Sequence, residues 1–271
     1  PMLPAEGNVT EGGYPIGNDV TCNLEIRQAV ACAIDRELVA DAALNGFATP
    51  CYSENDNMPW NNPEVVIETD VERARKLLAD VGWADTDGDG VVEKDGIRAA
   101  FTVLYPSGDS VRQAIAFAAA EQVEEIGIQI TVEGTSWDDL AKRMFSDGVM
   151  MGWGAANPYE SYCLYQSGGA FQDDFYNPEG YQSEETDRYL SAAMEALTTE
   201  EAYRNWKLAQ WDGVAGTSMK GACPWVWIVN IDHLYYVRDG LDIGVQQLHP
   251  HGSSMPLLQN LHEWKWADVQ K

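Results

Sequence analysis

Apolar positions along the chain switch between a period near four and a period of two. Val30, Ile34 and Leu38 recur every fourth residue after Asn23, a residue type suited to an N-cap, and Gly46 supplies a stop, which predicts one helix from Leu24. Thr69 and Glu72 have capping-box spacing ahead of Val71, Ala74, Leu77, Leu78 and Val81, and Gly82 closes that amphipathic helix. Phe101, Val103 and Tyr105 alternate as a half-buried strand does, residues 110–126 take the helical period, and Ile128, Ile130 and Val132 alternate again. Strand, helix and strand within about 35 residues is the βαβ spacing, which sets two parallel strands side by side. Ser136 and Asp139 cap a helix reaching Phe145, and Val149–Trp153 is short and apolar enough to be the next buried strand. Ser183 and Thr198 each begin a further helix, and Trp225–Val229 and Leu234–Val237 read as late strands. The fold class is therefore α/β.

The stretches without a period are as informative. Residues 1–22 read as an extended connection, and residues 47–66 as a loop rich in Pro and Asn. Residues 154–182 hold many Gly, Asn, Tyr and Pro, and a loop of that length in a compact domain tends to be functional. The segment MMGWGAANPYESY passes straight from a buried strand into this loop, and ligands of parallel α/β sheets gather beyond the carboxyl ends of strands. The predicted site is therefore Met151, Trp153, Gly154, Ala155, Ala156, Asn157 and Tyr159, with Asn157 offering a donor and an acceptor. Tyr159, Tyr162 and Tyr165 would supply amphipathic walls. Trp225 and Trp227, on one side of a strand, either line a cleft or pack within the core, and packing is the preferred reading.

Charge narrows the class of partner. Seventeen Lys and Arg against 43 Asp and Glu give a formal charge of −26, so nucleic acid and anionic bilayers are not expected partners. No apolar run approaches the roughly 20 residues of a membrane helix. The opening PMLPAEGNVTEGG lacks the regions of a signal peptide, so any export signal or membrane anchor is expected outside this sequence. The five cysteines, Cys22, Cys32, Cys51, Cys163 and Cys223, contain no CxxC pair; one disulfide among them is open.

Residues 85–96, DTDGDGVVEKDG, place Asp85, Asp87 and Asp89 at the first, third and fifth positions of an EF-hand-like loop, with Gly90 at the sixth. The twelfth position is Gly96, so the bidentate Glu that completes a calcium shell is missing, although Glu93 or Asp95 could stand in. The alternative, a polar turn held by Asp side chains on backbone N–H groups, is preferred, and no cofactor is expected. His249 and His251 flank Pro250 without a third ligand nearby, and His233 and His262 are isolated. No nucleophile elbow, P-loop or HExxH motif occurs, which argues against an enzyme.

Longer stretches resemble a known family. NLEIRQAVACAIDRELVADAALNGFATP is similar to the opening of the second lobe of family-5 extracytoplasmic solute-binding proteins of peptide and nickel ABC transporters, with Ile26, Arg27, Gln28 and Ala29 and then Ala33, Ile34, Asp35 and Arg36 carrying the match. DVERARKLLADVGWADTDGDGVVEKDG, EIGIQITVEGTSWDDLAKRM and GWGAANP resemble its later segments in order, and the likeness runs from Asn23 to Trp227. The resemblance implies a type II periplasmic-binding-protein lobe with a mixed, largely parallel sheet flanked by helices. Residues 1–22 would then connect from a first lobe, residues 23–230 form the second ligand-binding lobe, and residues 231–271 return toward the first. It further implies capture of a small-molecule or peptide ligand, delivery to ABC transporter permease subunits, and an extracytoplasmic place in the periplasm or on the cell surface as a lipoprotein. In peptide-binding members an aspartate shortly after the Trp pairs with the peptide's amino terminus; Ala156 stands there, which disfavours ordinary peptides and leaves nickel complexes and glycosides open. Two other classes stay in view: a calcium-stabilised surface adhesion or scaffold module, resting on Asp85, Asp87 and Asp89, and a hydrolase using carboxylates that sequence does not pair.

Overall fold

The computed structural model describes residues 1–154, 157–172, 175–246 and 256–266. Ala155 and Ala156 of the predicted site, and His249 and His251, lie outside the described residues.

The first predicted helix is two: α1 (Leu24–Ala33) and α2 (Arg36–Leu44), broken at Ile34 and Asp35. The apolar period runs through the break without a mark, because the break is made by side chains from elsewhere. Asp35 donates its backbone N–H to Gln122 Oε1 instead of to the carbonyl of Ala31, and its own carboxylate caps α2 by accepting from Leu38 N. Arg36 then satisfies the carbonyls of Ala31 and Ile34, while Asp70 N satisfies that of Cys32. Leu38, expected on the buried face, is 58% exposed as a result of the new helix direction.

Strand β1 (Ala48–Pro50) follows, and then α3 (Val71–Asp80), capped by Asp70 rather than by the predicted Thr69, whose hydroxyl donates to Ile34 O. The short hairpin β2 (Glu93–Lys94) and β3 (Ile97–Arg98) leads into β4 (Ala100–Pro106), α4 (Ser110–Glu124) and β5 (Gln129–Thr135), the βαβ unit read from periodicity. β4 and β5 are parallel, with Ala100 opposite Gln129 and Pro106 opposite Thr135. Gly127 makes the turn out of α4 at φ +77°, and a Cβ there would meet Val92 Cγ1 at 2.8 Å, so only glycine fits. α5 (Trp137–Arg143) carries its predicted Ser136 cap, and β6 (Gly148–Val149) adds a third parallel strand in the order β5-β4-β6.

The remaining elements are α6 (Tyr159–Tyr165) inside the predicted long loop, then α7 (Glu184–Glu195) and α8 (Thr199–Gln210), capped as expected by Ser183 and Thr198. β7 (Val229–Ile231) pairs antiparallel with β1, and β8 (Leu241–Asp242) with β9 (Lys265–Trp266). The strand expected over Leu234–Val237 does not form; those side chains are exposed. No described helix is long and apolar enough to cross a membrane.

Alternation along β4 divides the core. Phe101 packs with α1, α3 and α4, whereas Leu104 packs with Leu140, Met144 and Phe145 around α5 on the other face. A third cluster of Leu164, Tyr165, Leu190 and Trp206 joins α6, α7 and α8. Two motif arginines fasten the late segment 222–228 to the early helices. Arg27 donates to the carbonyls of Thr21, Cys22, Ala222 and Cys223, and Gln28 Nε2 donates to those of Lys220 and Gly221. Arg36 donates to Cys51 O and Trp227 O.

Candidate functional site

Beyond β6, Met150 N still donates to Leu104 O, so the chain leaves the sheet at Met151, where ligands of such sheets collect. Gly154 N donates to Glu160 Oε2 at 2.7 Å, which clips the loop to the first turn of α6. Asn157 is exposed, and its Oδ1 accepts from Tyr159 N at 3.0 Å, which engages its acceptor at the helix start.

Trp153 is the centre of an aromatic group that joins three distant parts of the chain. Its ring stacks on Tyr176 with centroids 4.8 Å apart and meets Trp225 edge-on at 6.4 Å, and Trp225 in turn lies 6.4 Å from Trp227. The Trp225 and Trp227 pair therefore packs, as preferred from the sequence, although the strand expected from Trp225 begins only at Val229. Tyr159 and Tyr162 stack nearly parallel at 5.8 Å, with Tyr159 52% exposed, so these two rings stay near the surface. Tyr165 does not. It is buried, and its hydroxyl donates to Glu54 Oε2 at 3.0 Å.

Two buried acids escaped the sequence reading, since neither sits in a motif. Glu54 also accepts from Ser161 Oγ and Asn55 Nδ2, both at 2.7 Å, so this carboxyl is fully engaged in fixing α6 against the 51–62 loop; burial still raises it above the usual carboxylate range. Glu179 differs. It is 5% exposed, and neither carboxyl oxygen has a hydrogen-bond partner. Burial pushes it up to about 8, against the opposing pull of its own backbone N–H, the Pro1 amino group, the Trp225 indole N–H and Arg27. The Trp153 and Trp225 indole nitrogens are likewise buried and unpartnered.

Asp85, Asp87 and Asp89 converge, with one oxygen from each within 4.8 Å of the others, and all three are exposed. Their oxygens hold the turn: Asp85 accepts from Gly88 N and Gly90 N, Asp87 from Asp89 N, and Asp89 from Val91 N. Arg98 also pairs with Asp89 at 2.6 Å, so one of the three carboxylates already has a cationic partner. That arrangement supports the polar turn. Calcium or a chelator is expected to move the melting temperature by no more than about 1 °C; a large drop on chelation would restore the metal reading. The five cysteines are free thiols, and burial holds Cys223 at about 12, unsuited to nucleophilic work.

A parallel sheet with helices on both faces is an architecture shared with type II periplasmic binding proteins. Solved structures of that type superpose on it: NikZ from Campylobacter jejuni in complex with Ni(L-His), with TM-score 0.75 and 21% identity over 91% of this chain and 49% of that one. AppA from Bacillus subtilis in complex with a nonapeptide gives TM-score 0.66 and 23% identity over 92% and 49%. Residues 7–174 match the model of bacterial extracellular solute-binding proteins, family 5 Middle, and the chain belongs to that family. Protein XP55 of Streptomyces lividans is 31% identical over 231 residues, covering 84% of this chain and 41% of the relative. The chain spans less than half the length of these relatives.

Proposed function

We propose that this chain is the second, solute-recognising lobe of an extracytoplasmic solute-binding component of an ABC importer. It grips a small solute at Met151–Tyr159, closes on it with a first lobe and delivers it unchanged to permease subunits, working in the periplasm or from a surface anchor. The observation that carries this reading is the Trp153, Tyr176 and Trp225 group standing at the carboxyl end of β6 in a chain of this family. Aromatic burial supplies affinity there, the few free polar groups fix orientation, and the ligand shifts an open–closed population by its preference for the closed form. The exposed run Leu234, Tyr235, Tyr236 and Val237 suits a segment that covers its apolar side chains against the first lobe. Amide exchange over residues 231–237 should be slower in a protein carrying both lobes than in this one.

The substrate test is isothermal titration of a two-lobed protein with peptides, sugars and metal chelates. Ala156, in place of the amino-terminus-binding aspartate, directs the expectation toward solutes other than ordinary peptides. Trp153→Ala should weaken whichever class binds by tenfold or more, about 1.4 kcal/mol. Failure of every class together with measurable turnover would overturn the reading.

A further inference from the structure

Behind Trp225, between the sheet and α1, lies a cavity of about 170 Å³. Its walls are apolar, chiefly Ile26, Val30, Phe101, Val103 and Ile130. Four ionisable groups border it: Arg27 and Asp147 are already engaged, and the Pro1 amino group, which burial lowers to about 6, carries little positive charge at neutral pH. Arg27 donates to four backbone carbonyls, and Asp147 accepts from Arg143 Nε at 2.8 Å. The fourth is Glu179, whose oxygens accept no close hydrogen bond although the Trp225 indole and the Pro1 amino group both act on the carboxyl. Gly180 fixes its place: the Phe171 ring occupies the position a Cβ would take, 2.0 Å away, and φ is +78°.

We propose that this cavity is a second ligand site, distinct from the Met151–Tyr159 segment, and that it takes a small apolar amine whose ammonium group is held by the Glu179 carboxylate. Volume sets the size of the occupant, since a dry cavity of roughly 150 Å³ accommodates benzene. The walls set its body, because hydrocarbon gains by leaving water for such a surface. The unpartnered acid sets its head. A neutral apolar guest leaves Glu179 unsatisfied, whereas an ammonium gives both oxygens donors and supplies the countercharge that a buried carboxylate requires. Burial leaves Glu179 holding a proton at neutral pH, and the ammonium binds as that proton is released to solvent.

The probes are benzylamine, benzyl alcohol and toluene, titrated calorimetrically into the intact protein at neutral pH and followed by thermal melts. Benzylamine is expected to bind at least tenfold more tightly than either neutral analogue. Glu179→Gln should erase that preference while toluene binding persists, and Val30→Phe, which fills the cavity, should weaken all three. Equal binding of the three in the unmodified protein would reduce the site to an apolar void and overturn the role of Glu179. No binding of any probe would mean that ordered water alone fills the cavity, and the proposal would fail. The comparison in the unmodified protein decides the matter even if a variant does not fold.

Discussion

Replacing Arg36 with alanine should destabilise the protein by about 3–5 kcal/mol, the scale seen when a buried charge network loses its cation. Arg36 is 2% exposed and has no carboxylate partner among the hydrogen bonds it makes; its guanidinium faces Cys51 O, Trp227 O, Ala31 O and Ile34 O, with Met219 Sδ at 3.2 Å. Ile34 O keeps the Thr69 hydroxyl when the arginine goes. The Ala31 carbonyl does not recover a partner so easily, because the amide that would normally serve it, Asp35 N, is bonded to Gln122. The loss therefore releases the α1–α2 break and the 222–228 segment together. Lysine should rescue little, since a single ammonium cannot reproduce a planar fork that spans carbonyls of four residues. Chemical denaturation of Arg36→Ala and Arg36→Lys checks this, and a loss under about 1 kcal/mol for alanine would show that water satisfies those carbonyls.

The same residues explain what was legible in the sequence. The βαβ unit over Ala100–Thr135 could be read because each element declares its own period, and the Ser136, Ser183 and Thr198 caps because capping is local chemistry. The break at Ile34 and Asp35 could not, since Gln122 and Asp70, which hold it open, lie far along the chain. Trp153 was legible as a site residue from its place at a strand end, but its stacking partner Tyr176 sits in an aperiodic loop. Glu54 and Tyr165 are 111 residues apart, and their bond removes Tyr165 from the ligand wall for a reason no local pattern carries. Glu179 looks like an ordinary loop acid in sequence; only its burial beside the cavity, with Phe171 packed on Gly180, makes it unusual.

That burial gives the second large effect, a stability that falls as pH rises. Glu179 has a folded-state value of about 8 against 4.5 for the free group, with desolvation the leading cause. The folded protein thus holds a proton that the unfolded chain releases between these limits. The contribution is fully present below 4.5 and is lost as pH climbs through 8, a change of about 5 kcal/mol by linkage. Glutamine keeps the shape of the neutral acid and cannot ionise. Glu179→Gln should therefore match the parent protein near pH 5 and exceed its stability by several kcal/mol near pH 9. Two other groups titrate in both proteins: Cys223, pushed up to about 12 by its own burial, costs stability in alkali, and the buried Pro1 amino group, lowered to about 6 and interacting with Glu179, adds stability as pH rises from about 6 to 8. Denaturant midpoints measured across this range supply the test. Parallel curves for the two proteins would mean that the carboxyl reaches solvent, and the cavity behind Trp225 would then be open to water rather than closed around an unpartnered acid.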